Sequence, residues 1–366
     1  MYDYLIVGSG LFGATFVNLA NESGKKCLVL EKRNHIGGNV YTENIDNIQL
    51  HRYGAHIFHT SNVDIWNYVN RFVQFNNFHN SPKVKYKDGV YSFPINLFTM
   101  YQLWGVTNPI EAKVKLDSVK VKISNPSNLE EWILSEVGEE IYKKFIYGYT
   151  KKQWGKEPRE LPASIIKRLP IRLDYNDNFY TDVYCGIPVG GYTRLIQRMF
   201  GGVDIETGVD FNKDRHYWMG KAKYLVYTGA IDELFDYRLG TLEYRSLRFE
   251  QERLNISSYQ GNAVFNYTEE SVPYTRILEH KYFEYSDLPH TIITKEYPDK
   301  WNIGKEKYYP INNEHNDLLY KQYVELTQCE YGDKIVLGGR LACYRYLDMH
   351  QVIGQAIHKF TEHQKI

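Results

Sequence analysis

The first thirteen residues limit what this chain can fold into more than any other segment does. Residues 1–8 read as an apolar strand that runs directly into a helix start with the pattern G-x-G-x-x-G. The first glycine of such a pattern permits a tight turn, the second lets the backbone approach a diphosphate, and the third lets helix and strand pack closely. Free N–H groups at the helix N-terminus then favour a bound anion. The segment therefore predicts a dinucleotide site that contains Gly8, Gly10, Leu11, Phe12 and Gly13.

The residues that follow supply the rest of a nucleotide-binding βαβ unit. A helical stretch over 14–22 leads to a second apolar strand over 26–30, and that strand ends at Glu31. An acidic residue at this place accepts hydrogen bonds from the ribose hydroxyls of an adenosine. The glycine pattern alone could be a turn without a ligand, but strand, helix, strand and acid in this order favour a dinucleotide. We expect Glu31 and the adjacent Lys32 to contact it.

The segment after Glu31 indicates which dinucleotide is bound. It contains Gly37-Gly38-Asn39, and two later stretches, 223–230 and 334–340, each read as a strand followed by a glycine turn. Taken singly, each stretch is equally well explained as a buried strand with a turn. In this order they resemble FAD enzymes of the two-dinucleotide-fold type more than NAD dehydrogenases. The resemblance implies FAD as the cofactor, with Gly38, Asn39, Gly339 and Arg340 beside it.

Patterns along the rest of the chain predict an α/β protein, in which a Rossmann-like FAD-binding domain carries an inserted helical domain and an antiparallel β-sheet domain. A hairpin is predicted about 87–89, a helix start at 108–109, and short strands within 174–190 and 242–295, among them 263–268 and 280–285. Prolines and glycines between 148 and 170 predict a long, mobile loop. We expect three domains with these bounds: 1–78, 191–240 and 330–366 for FAD binding, 96–172 for the helical domain with its substrate loop, and 79–95, 173–190 and 241–329 for the substrate-binding sheet.

Composition argues against several classes of protein. Lys and Arg number 44 and Asp and Glu number 44, so the formal net charge is zero and no nucleic-acid partner is expected. No apolar run approaches the roughly 18 residues of a membrane span, and the polar start at 2–3 does not read as a signal peptide. The four cysteines form no C-x-x-C pair, which favours free thiols and a cytoplasmic location. His56 and His59 lack further ligands at metal spacing, so no metal is expected.

Five phrases outside the glycine pattern resemble one family. They are YGAHIFHT at 53–60, FIYGYTKKQWG at 145–155, LPASIIKR at 161–168, VPYTR at 272–276 and GRLACYRYLDM at 339–349. Together with the flavin features they resemble the bacterial UDP-galactopyranose mutases over nearly the whole chain. Flavoproteins of the amine-oxidase type share only the glycine pattern and the late glycine turn.

The resemblance implies an isomerase that interconverts UDP-galactopyranose and UDP-galactofuranose and so supplies galactofuranose for cell-surface glycans. In this family the N5 atom of reduced FAD attacks the anomeric carbon and UDP leaves, so the nucleophile belongs to the cofactor. An electron donor must then reduce the flavin, and we expect a homodimer. Acceptance of UDP-N-acetylgalactosamine stays open, because the room near the sugar 2-position does not follow from the sequence.

Two alternatives from other classes share the predicted fold. One is an FAD-dependent oxidase or dehydrogenase of the amine-oxidase type, and the other is a flavoprotein or carbohydrate-binding module without enzymatic activity. Neither needs a clamp for a diphosphate, which the mutase requires. The discriminating feature is therefore a pair of arginines at the family's clamp positions.

Arg168 and Arg276 match that clamp. A departing diphosphate needs fixed positive charge, and a planar guanidinium matches phosphate oxygens in shape. By resemblance, Arg276 holds the phosphates from the end of a strand, and Arg168 joins it when the proline-rich loop closes over the substrate. Considered alone, either arginine is more commonly a surface ion-pair partner.

The other family positions divide between substrate and flavin. The substrate positions, mostly hydroxyl, amide and aromatic side chains, are Asn80, Phe145, Tyr149, Thr150, Trp154, Phe179, Asn266, Tyr309, Tyr346 and Asp348. The further flavin positions are His56, His59, Ile57, Leu347, Asp348 and Met349. For the two histidines the resemblance favours positioning of the flavin, although imidazole also suits acid–base catalysis. Core packing stays the alternative for each aromatic residue.

Two positions depart from the family or leave its register open. Phe179 stands where the family commonly has a tyrosine that stacks on uracil, so stacking is kept and the hydroxyl is lost. Tyr180 follows it, but neighbours on a strand point to opposite faces. Within 307–310, either Tyr308 or Tyr309 could contact the phosphates.

Overall fold

The structure is a computed structural model that describes residues 1–167 and 169–365. Its strands β1 to β16 are Tyr2–Val7, Cys27–Glu31, Thr42–Ile45, Ile48–His51, Phe58–Thr60, Lys83–Tyr86, Gly89–Ser92, Tyr184–Gly186, Asp204–Thr207, Ala222–Tyr227, Tyr244–Leu254, Val264–Tyr267, Arg276–Glu279, Thr291–Lys300, Tyr309–Pro310 and Ile335–Leu337. Its helices α1 to α12 are Leu11–Glu22, Val63–Asn70, Leu97–Trp104, Pro109–Val119, Leu129–Ile141, Gly148–Trp154, Tyr192–Phe200, Arg215–Met219, Ile231–Leu234, Glu314–Tyr331, Gly339–Ala342 and Met349–His363. A π-helix, Tyr142–Tyr147, joins α5 to α6.

The chain divides into two compact units. Unit 1 comprises Met1–Asn77, Asp182–Ser246 and Trp301–Ile366, and unit 2 comprises Phe78–Thr181 and Leu247–Lys300. Unit 2 thus contains both the helices and most of the sheet that the sequence analysis assigned to separate domains. The helices and strand β6 share one core, because Val84 packs in the same apolar cluster as Met100 and Ile133. The division of the chain into two compact units does not test the three functional domains, which stay a prediction.

Unit 1 is built on a parallel sheet with the strand order β16–β10–β1–β2–β9. Strand β1 is apolar at successive positions because both faces of a parallel sheet are covered, and Leu5 and Ile6 are at most 1% exposed. Helices α1 and α12 pack together through an edge-to-face contact of Phe16 and Phe360 at 5.2 Å. The predicted Rossmann-like unit is confirmed, and the strands predicted at 223–227 and 334–337 are β10 and β16 of this sheet.

Unit 2 combines helices α3 to α6 with strands in the order β11–β14–β13–β12–β6–β7. The hairpin predicted about 87–89 is confirmed as β6 and β7, and Lys87 in its turn has φ +50°. The helix predicted to start at 108–109 is also confirmed, because Asn108 caps α4 by accepting hydrogen bonds from two N–H groups. Strand β13 pairs antiparallel with both β12 and β14, which places Arg276 between Asn266 and Glu296.

Residues 280–285 were predicted as a strand, but 280–282 form a 3-10 helix and 283–285 a turn, so that prediction is wrong. His280 and Phe283 are three positions apart and both are 1% exposed, which fits a helical turn and not the alternation of a strand. Lys281 between them is also buried, because its ammonium group donates to two backbone carbonyl oxygens at 2.8 Å.

The set of strands predicted within 174–190 is also wrong, since the stretch contains the single strand β8, which pairs with β5 in unit 1. The side-chain oxygens of Asp174, Asn176 and Asn178 each accept a hydrogen bond from the N–H two residues ahead, at 2.9–3.3 Å. Such turns bend the chain at alternate residues, which produced the alternating pattern that resembles a strand. Separately, no helix within 1–167 and 169–365 combines the length and apolarity needed to cross a membrane.

Candidate functional site

The glycine pattern forms the turn between β1 and α1 and leaves space at its second glycine. Gly8 has φ +105°, and a Cβ on Gly13 would lie 2.2 Å from the Gly8 carbonyl oxygen, so strand and helix touch directly. A Cβ on Gly10 would meet no atom within 4 Å, and Gly10 caps α1 without a side chain. The first N–H groups of α1, from Leu11 and Phe12, therefore lie beside a space that fits a diphosphate.

Glu31 lies at the end of β2 with its carboxylate fixed. Its Oε2 accepts hydrogen bonds from the N–H and the hydroxyl of Ser9, at 3.0 and 2.6 Å, and its Oε1 accepts one from the N–H of Arg33 at 3.0 Å. Oε1 keeps one lone pair and can therefore accept a further hydrogen bond. The geometry fits the predicted ribose acceptor. Gly38 lies close by, since a Cβ there would be 3.1 Å from the Cα of Gly10.

Arg33, which the sequence analysis did not single out, links Asn39 to Glu306, and Lys32 pairs with the same carboxylate. Its guanidinium donates to Asn39 Oδ1 at 2.9 Å and to Glu306 Oε2 at 2.7 Å. The ammonium of Lys32 lies 3.9 Å from the other oxygen of Glu306. Burial alone would raise the pKa of Glu306, but Arg33 and Lys32 hold that pKa below its usual value. The loop after β2 is thus held by ion pairs around one carboxylate.

The late glycine turn packs directly on the glycine pattern. A Cβ on Gly338 would lie 2.0 Å from the ring of Phe12, so a side chain there would displace the start of α1. The N–H of Gly339 donates to Gln355 Oε1 on α12 at 2.8 Å. Asp348 precedes Met349, the first residue of α12, and its N–H donates to the side chain of the third helical residue at 2.9 Å. The predicted flavin positions from both ends of the chain therefore lie in one part of unit 1.

Arg340 brings predicted flavin and phosphate residues together. Its Nε donates to the carbonyl oxygen of Leu347 at 2.7 Å, and its guanidinium lies 4.9 Å from the ring centre of Tyr346. The rings of Tyr346 and Tyr309 stack with centres 6.0 Å apart. Tyr308 points into the protein and is 6% exposed, so the structure favours Tyr309 at the position that the sequence left open.

His59 pairs with an acid that the sequence analysis missed. Its Nδ1 lies 2.6 Å from Asp182 Oδ2, and the hydroxyl of Ser61 donates to Asp182 Oδ1 at 2.7 Å. Burial would raise the pKa of Asp182, but these two partners hold it below its usual value. The ring of His350 contacts that of His59 at 5.2 Å. The carboxylate of Asp182 therefore fixes the orientation of the His59 ring.

His56 and Ile57 lie in the same segment, before β5. The Nδ1 atom of His56 lies 2.9 Å from the carbonyl oxygen of Gly54, and its N–H donates to His51 Nδ1 at 3.2 Å. Ile57 is 5% exposed. The segment is therefore ordered by its own backbone and by a buried histidine.

Arg276 is the centre of the predicted substrate residues in unit 2. Its Nη2 donates to the hydroxyl of Tyr149 at 2.7 Å, and its Nε lies 3.7 Å from Glu296 Oε1. Glu296 is 2% exposed, and burial raises its pKa while Arg276 opposes the rise. Asn266 lies opposite Arg276 on β12. Together these side chains hold a guanidinium and a hydroxyl in a fixed geometry, which suits phosphate oxygens.

Asn80 and Phe179 form a second group in unit 2. The N–H of Phe179 donates to the carbonyl oxygen of Asn80 at 2.6 Å. The buried side-chain Oδ1 of Asn80 has no hydrogen-bond partner among the described residues. A buried polar atom without a partner indicates a site for a ligand or a water. Arg172, another residue that the sequence analysis missed, donates to the carbonyl oxygens of Asn178 and Phe179 and holds this stretch in place.

The remaining predicted residues of unit 2 have different surroundings. Phe145 is 2% exposed in the apolar cluster and contacts the rings of two other aromatic residues, so core packing accounts for it. Thr150 is 4% exposed, whereas Trp154 packs at the partly exposed margin of the cluster, as Phe179 does. Arg168 lies outside the described residues, and its predicted role stays a prediction.

The site residues that were not predicted from the sequence differ in whether a sequence pattern could have revealed them. Glu296 follows Ile292 and Thr294 at alternate positions of β14, so an acid on an inward face could have been noticed. Asp182 and Arg172 left none, because their partners are distant in sequence or are backbone atoms.

Comparison with known proteins gives matches over nearly the whole chain. Residues 144–346 match the family model described as UDP-galactopyranose mutase, and residues 6–72 match one described as NAD(P)-binding Rossmann-like domain. A dTDP-fucopyranose mutase of Escherichia coli is 39% identical over 98% of this chain and 97% of its own length. A UDP-galactopyranose mutase of Mycoplasma genitalium is 32% identical over 98% of this chain and 94% of its own length. A crystal structure of reduced UDP-galactopyranose mutase shares the fold, with a TM-score of 0.73 and 14% identity over 100% of this chain and 96% of that chain.

Proposed function

This chain belongs to the UDP-galactopyranose mutase family, and we propose that it interconverts UDP-galactopyranose and UDP-galactofuranose. The observation that carries the proposal is the pair of Arg276 and Tyr149, whose guanidinium and hydroxyl lie 2.7 Å apart. Both groups can donate hydrogen bonds to phosphate oxygens, and an oxidase of the amine-oxidase type has no substrate diphosphate to hold.

FAD fits the residues of unit 1. The open space at Gly10 and the uncapped start of α1 suit its diphosphate, and Glu31 suits its adenosine ribose. When bound in its reduced form, FAD would supply the nucleophile that displaces the nucleoside diphosphate from the anomeric carbon. Arg340 would place positive charge near the reduced ring.

The residues of this chain bind and orient the substrate, and they neutralise the charge of the departing diphosphate. Arg276 holds negative charge on the departing diphosphate, and Tyr149 fixes the guanidinium as well as offering its hydroxyl. Arg168 would add a second positive charge. We assign Tyr309 and Tyr346 to diphosphate contacts, and Asn80, Asn266 and Phe179 to the nucleoside and sugar. The remaining assigned residues keep the roles implied by the family resemblance, namely Thr150, Trp154, Asp348, Leu347 and Met349.

His56 and His59 are proposed to position the flavin rather than to exchange protons with the sugar. His59 is oriented by Asp182 at 2.6 Å, and His56 is held by the carbonyl of Gly54. A ring held in this way can present one nitrogen in a constant direction.

A dTDP-linked 6-deoxyhexose is the second candidate substrate. The observation that favours it is the 39% identity to a protein named dTDP-fucopyranose mutase. The aromatic residue that would stack on the base is Phe179, which packs near Phe93 with ring centres 5.9 Å apart. This apolar surrounding suits the methyl group of thymine as well as the ring of uracil.

Several finer features are also proposals. We propose a homodimer, because α3 and α4 expose a row of apolar side chains, Phe98, Tyr101, Ile110 and Val114, at 43–77%. Sedimentation of the wild type and of Ile110→Glu tests it, and an unchanged dimer would reject that surface. A cytoplasmic location and a separate electron donor are proposed from the cysteine pattern and the need for reduced flavin.

One turnover assay decides among these functions. The protein is reduced without oxygen and given UDP-galactofuranose or dTDP-fucofuranose, with oxidised protein in parallel, and the products are separated by chromatography. Conversion of UDP-galactofuranose only by the reduced protein is expected. Faster conversion of the dTDP sugar would establish the second candidate, and flavin reoxidation by another substrate without isomerisation would indicate an oxidase. The same assay with UDP-N-acetylgalactosamine tests the wider specificity.

A further inference from the structure

The side-chain amine of Lys152 binds the segment that connects strands β12 and β13. The Nζ atom donates to four backbone carbonyl oxygens, those of Tyr267, Glu269, Val272 and Tyr274, at 2.8–3.0 Å. An ammonium group has three N–H donors, so the four oxygens surround it on all sides and share its protons. Carbonyl groups that converge on one point in this way repel each other without a cation between them.

The connection held by Lys152 leads directly to the diphosphate-binding residues of unit 2. It spans residues 268–275 between β12 and β13, and Asn266 and Arg276 are paired neighbours on those two strands. The chain position of Arg276 therefore depends on how this connection is folded.

Lys152 also lies on the helix that carries the partner of Arg276. Tyr149 precedes it by three residues in α6, which places the two side chains on one face of the helix. The start of α6 touches the same connection, since a Cβ on Gly148 would lie 2.2 Å from the carbonyl oxygen of Thr268. The ion pair of Lys151 with Glu270, at 2.7 Å, lies at the exposed margin.

The amine of Lys152 is charged at neutral pH even though it is buried. Burial lowers the pKa of Lys152 to about 8, and the carboxylates of Glu269 and Glu270 oppose that change. Lys151, the adjacent cation, is paired with Glu157 and Glu270. Lys152 therefore carries its proton at pH 7, where the carbonyl oxygens need it.

We propose that Lys152 is a positioning residue for diphosphate binding, which fixes the β12–β13 connection on α6 and so keeps the Arg276 guanidinium on the Tyr149 hydroxyl. The inference rests on the proposed function, because it takes the Arg276–Tyr149 pair to be the diphosphate contact. It adds a residue that touches neither substrate nor cofactor and acts through Arg276.

The test measures UDP affinity of the reduced holoenzyme, together with KM and kcat, for Lys152→Met. We expect UDP to bind at least about tenfold more weakly, because errors of about 1 Å in a positioned group cost up to roughly a hundredfold. KM is expected to rise more than kcat falls, and the flavin absorbance is expected to stay that of the wild type.

Two matched lysines serve as controls. Lys151→Met removes the neighbouring cation and its exposed ion pairs but leaves the four carbonyl oxygens held. Lys281→Met removes another buried ammonium of unit 2, one that also donates to two carbonyl oxygens at 2.8 Å. We expect neither to change UDP affinity by more than about twofold, even where Lys281→Met lowers thermal stability as much as Lys152→Met does.

A double-mutant cycle separates positioning from a loss of structure. In an Arg276→Ala background, Lys152→Met should have no further effect on UDP affinity, because the residue through which it acts is gone. An equal loss of affinity in both backgrounds, or an equal loss in Lys281→Met, would overturn the proposal. If the wild type neither binds UDP nor turns over UDP-galactofuranose, the proposed function fails instead, and the two failures are thereby distinguished.

Discussion

Arg276 and Glu296 lie directly opposite each other on adjacent antiparallel strands, with Nε and Oε1 3.7 Å apart. The side chain of Arg276 is 25% exposed, whereas that of Glu296 is 2% exposed. A buried carboxylate behind a guanidinium restricts the direction in which the guanidinium points.

Glu296→Gln should raise thermal stability at pH 7–8 while lowering kcat/KM. Burial raises the pKa of Glu296 above its unfolded value of about 4.5, so the folded chain holds this proton more tightly and loses stability as pH rises from about 4.5 through the folded pKa. The difference in unfolding free energy between variant and wild type should therefore grow as pH rises above about 4.5 and level off once Glu296 is ionised in the folded chain. Thermal unfolding across that range checks the first part, and steady-state kinetics check the second. A variant that is both less stable and fully active would contradict this account.

Arg276→Ala should lower turnover roughly 10²- to 10³-fold, the effect of removing a group that stabilises charge in a transition state. Tyr149→Phe should cost roughly two- to tenfold, since one hydrogen bond to the guanidinium is lost. Arg168→Ala is predicted to behave as Arg276→Ala does. Flavin absorbance of the purified variants is the control, and loss of flavin in parallel with turnover would refute the clamp.

Gly10→Ala and Gly13→Ala should separate cofactor binding from folding. A Cβ on Gly10 meets no protein atom within 4 Å, so the apoprotein should stay within about 1 kcal/mol of wild type while FAD binds more weakly. A Cβ on Gly13 lies 2.2 Å from a carbonyl oxygen and should destabilise the apoprotein by about 1–3 kcal/mol. Denaturant unfolding of apoprotein and FAD titration measure the two effects. Unchanged FAD affinity in Gly10→Ala would place the diphosphate elsewhere.

Alkaline pH should weaken UDP binding through Lys152. The pKa of this amine is lowered from 10.5 to about 8, so the ammonium that holds four carbonyl oxygens is lost as pH rises through 8. Over pH 8 to 10.5 the unfolded chain binds more protons at this lysine than the folded chain, so this group adds stability as pH rises. Above pH 8, the affinity for UDP should therefore fall, while the contribution of Lys152 to the free energy of unfolding increases. UDP titrations and unfolding of wild type and Lys152→Met, compared at each pH, measure both, and parallel affinity profiles would count against the role.

The local patterns of the chain predicted the parts of the fold that depend on neighbouring residues. The glycine turn, strands β1, β2, β10 and β16, and the hairpin of β6 and β7 followed from apolar runs and turn residues, because each is fixed by sterics over a few positions. The same patterns failed at 174–178, where Asp and Asn side chains hold turns at alternate residues, and at 280–285, where inward residues are spaced by three. A period of two in polarity does not distinguish a strand from such turns.

Short segments of the sequence were enough to predict a dinucleotide fold, a flavin cofactor at the N-terminal glycine turn, and a likeness to nucleotide-sugar mutases. Those properties reside in short segments whose chemistry is complete within a few residues. Only the folded chain shows that Glu296 lies behind Arg276, that Asp182 orients His59, and that Lys152 holds the β12–β13 connection. Each of these joins residues from 20 to more than 120 positions apart, and buried charges find such partners only when the whole chain has folded.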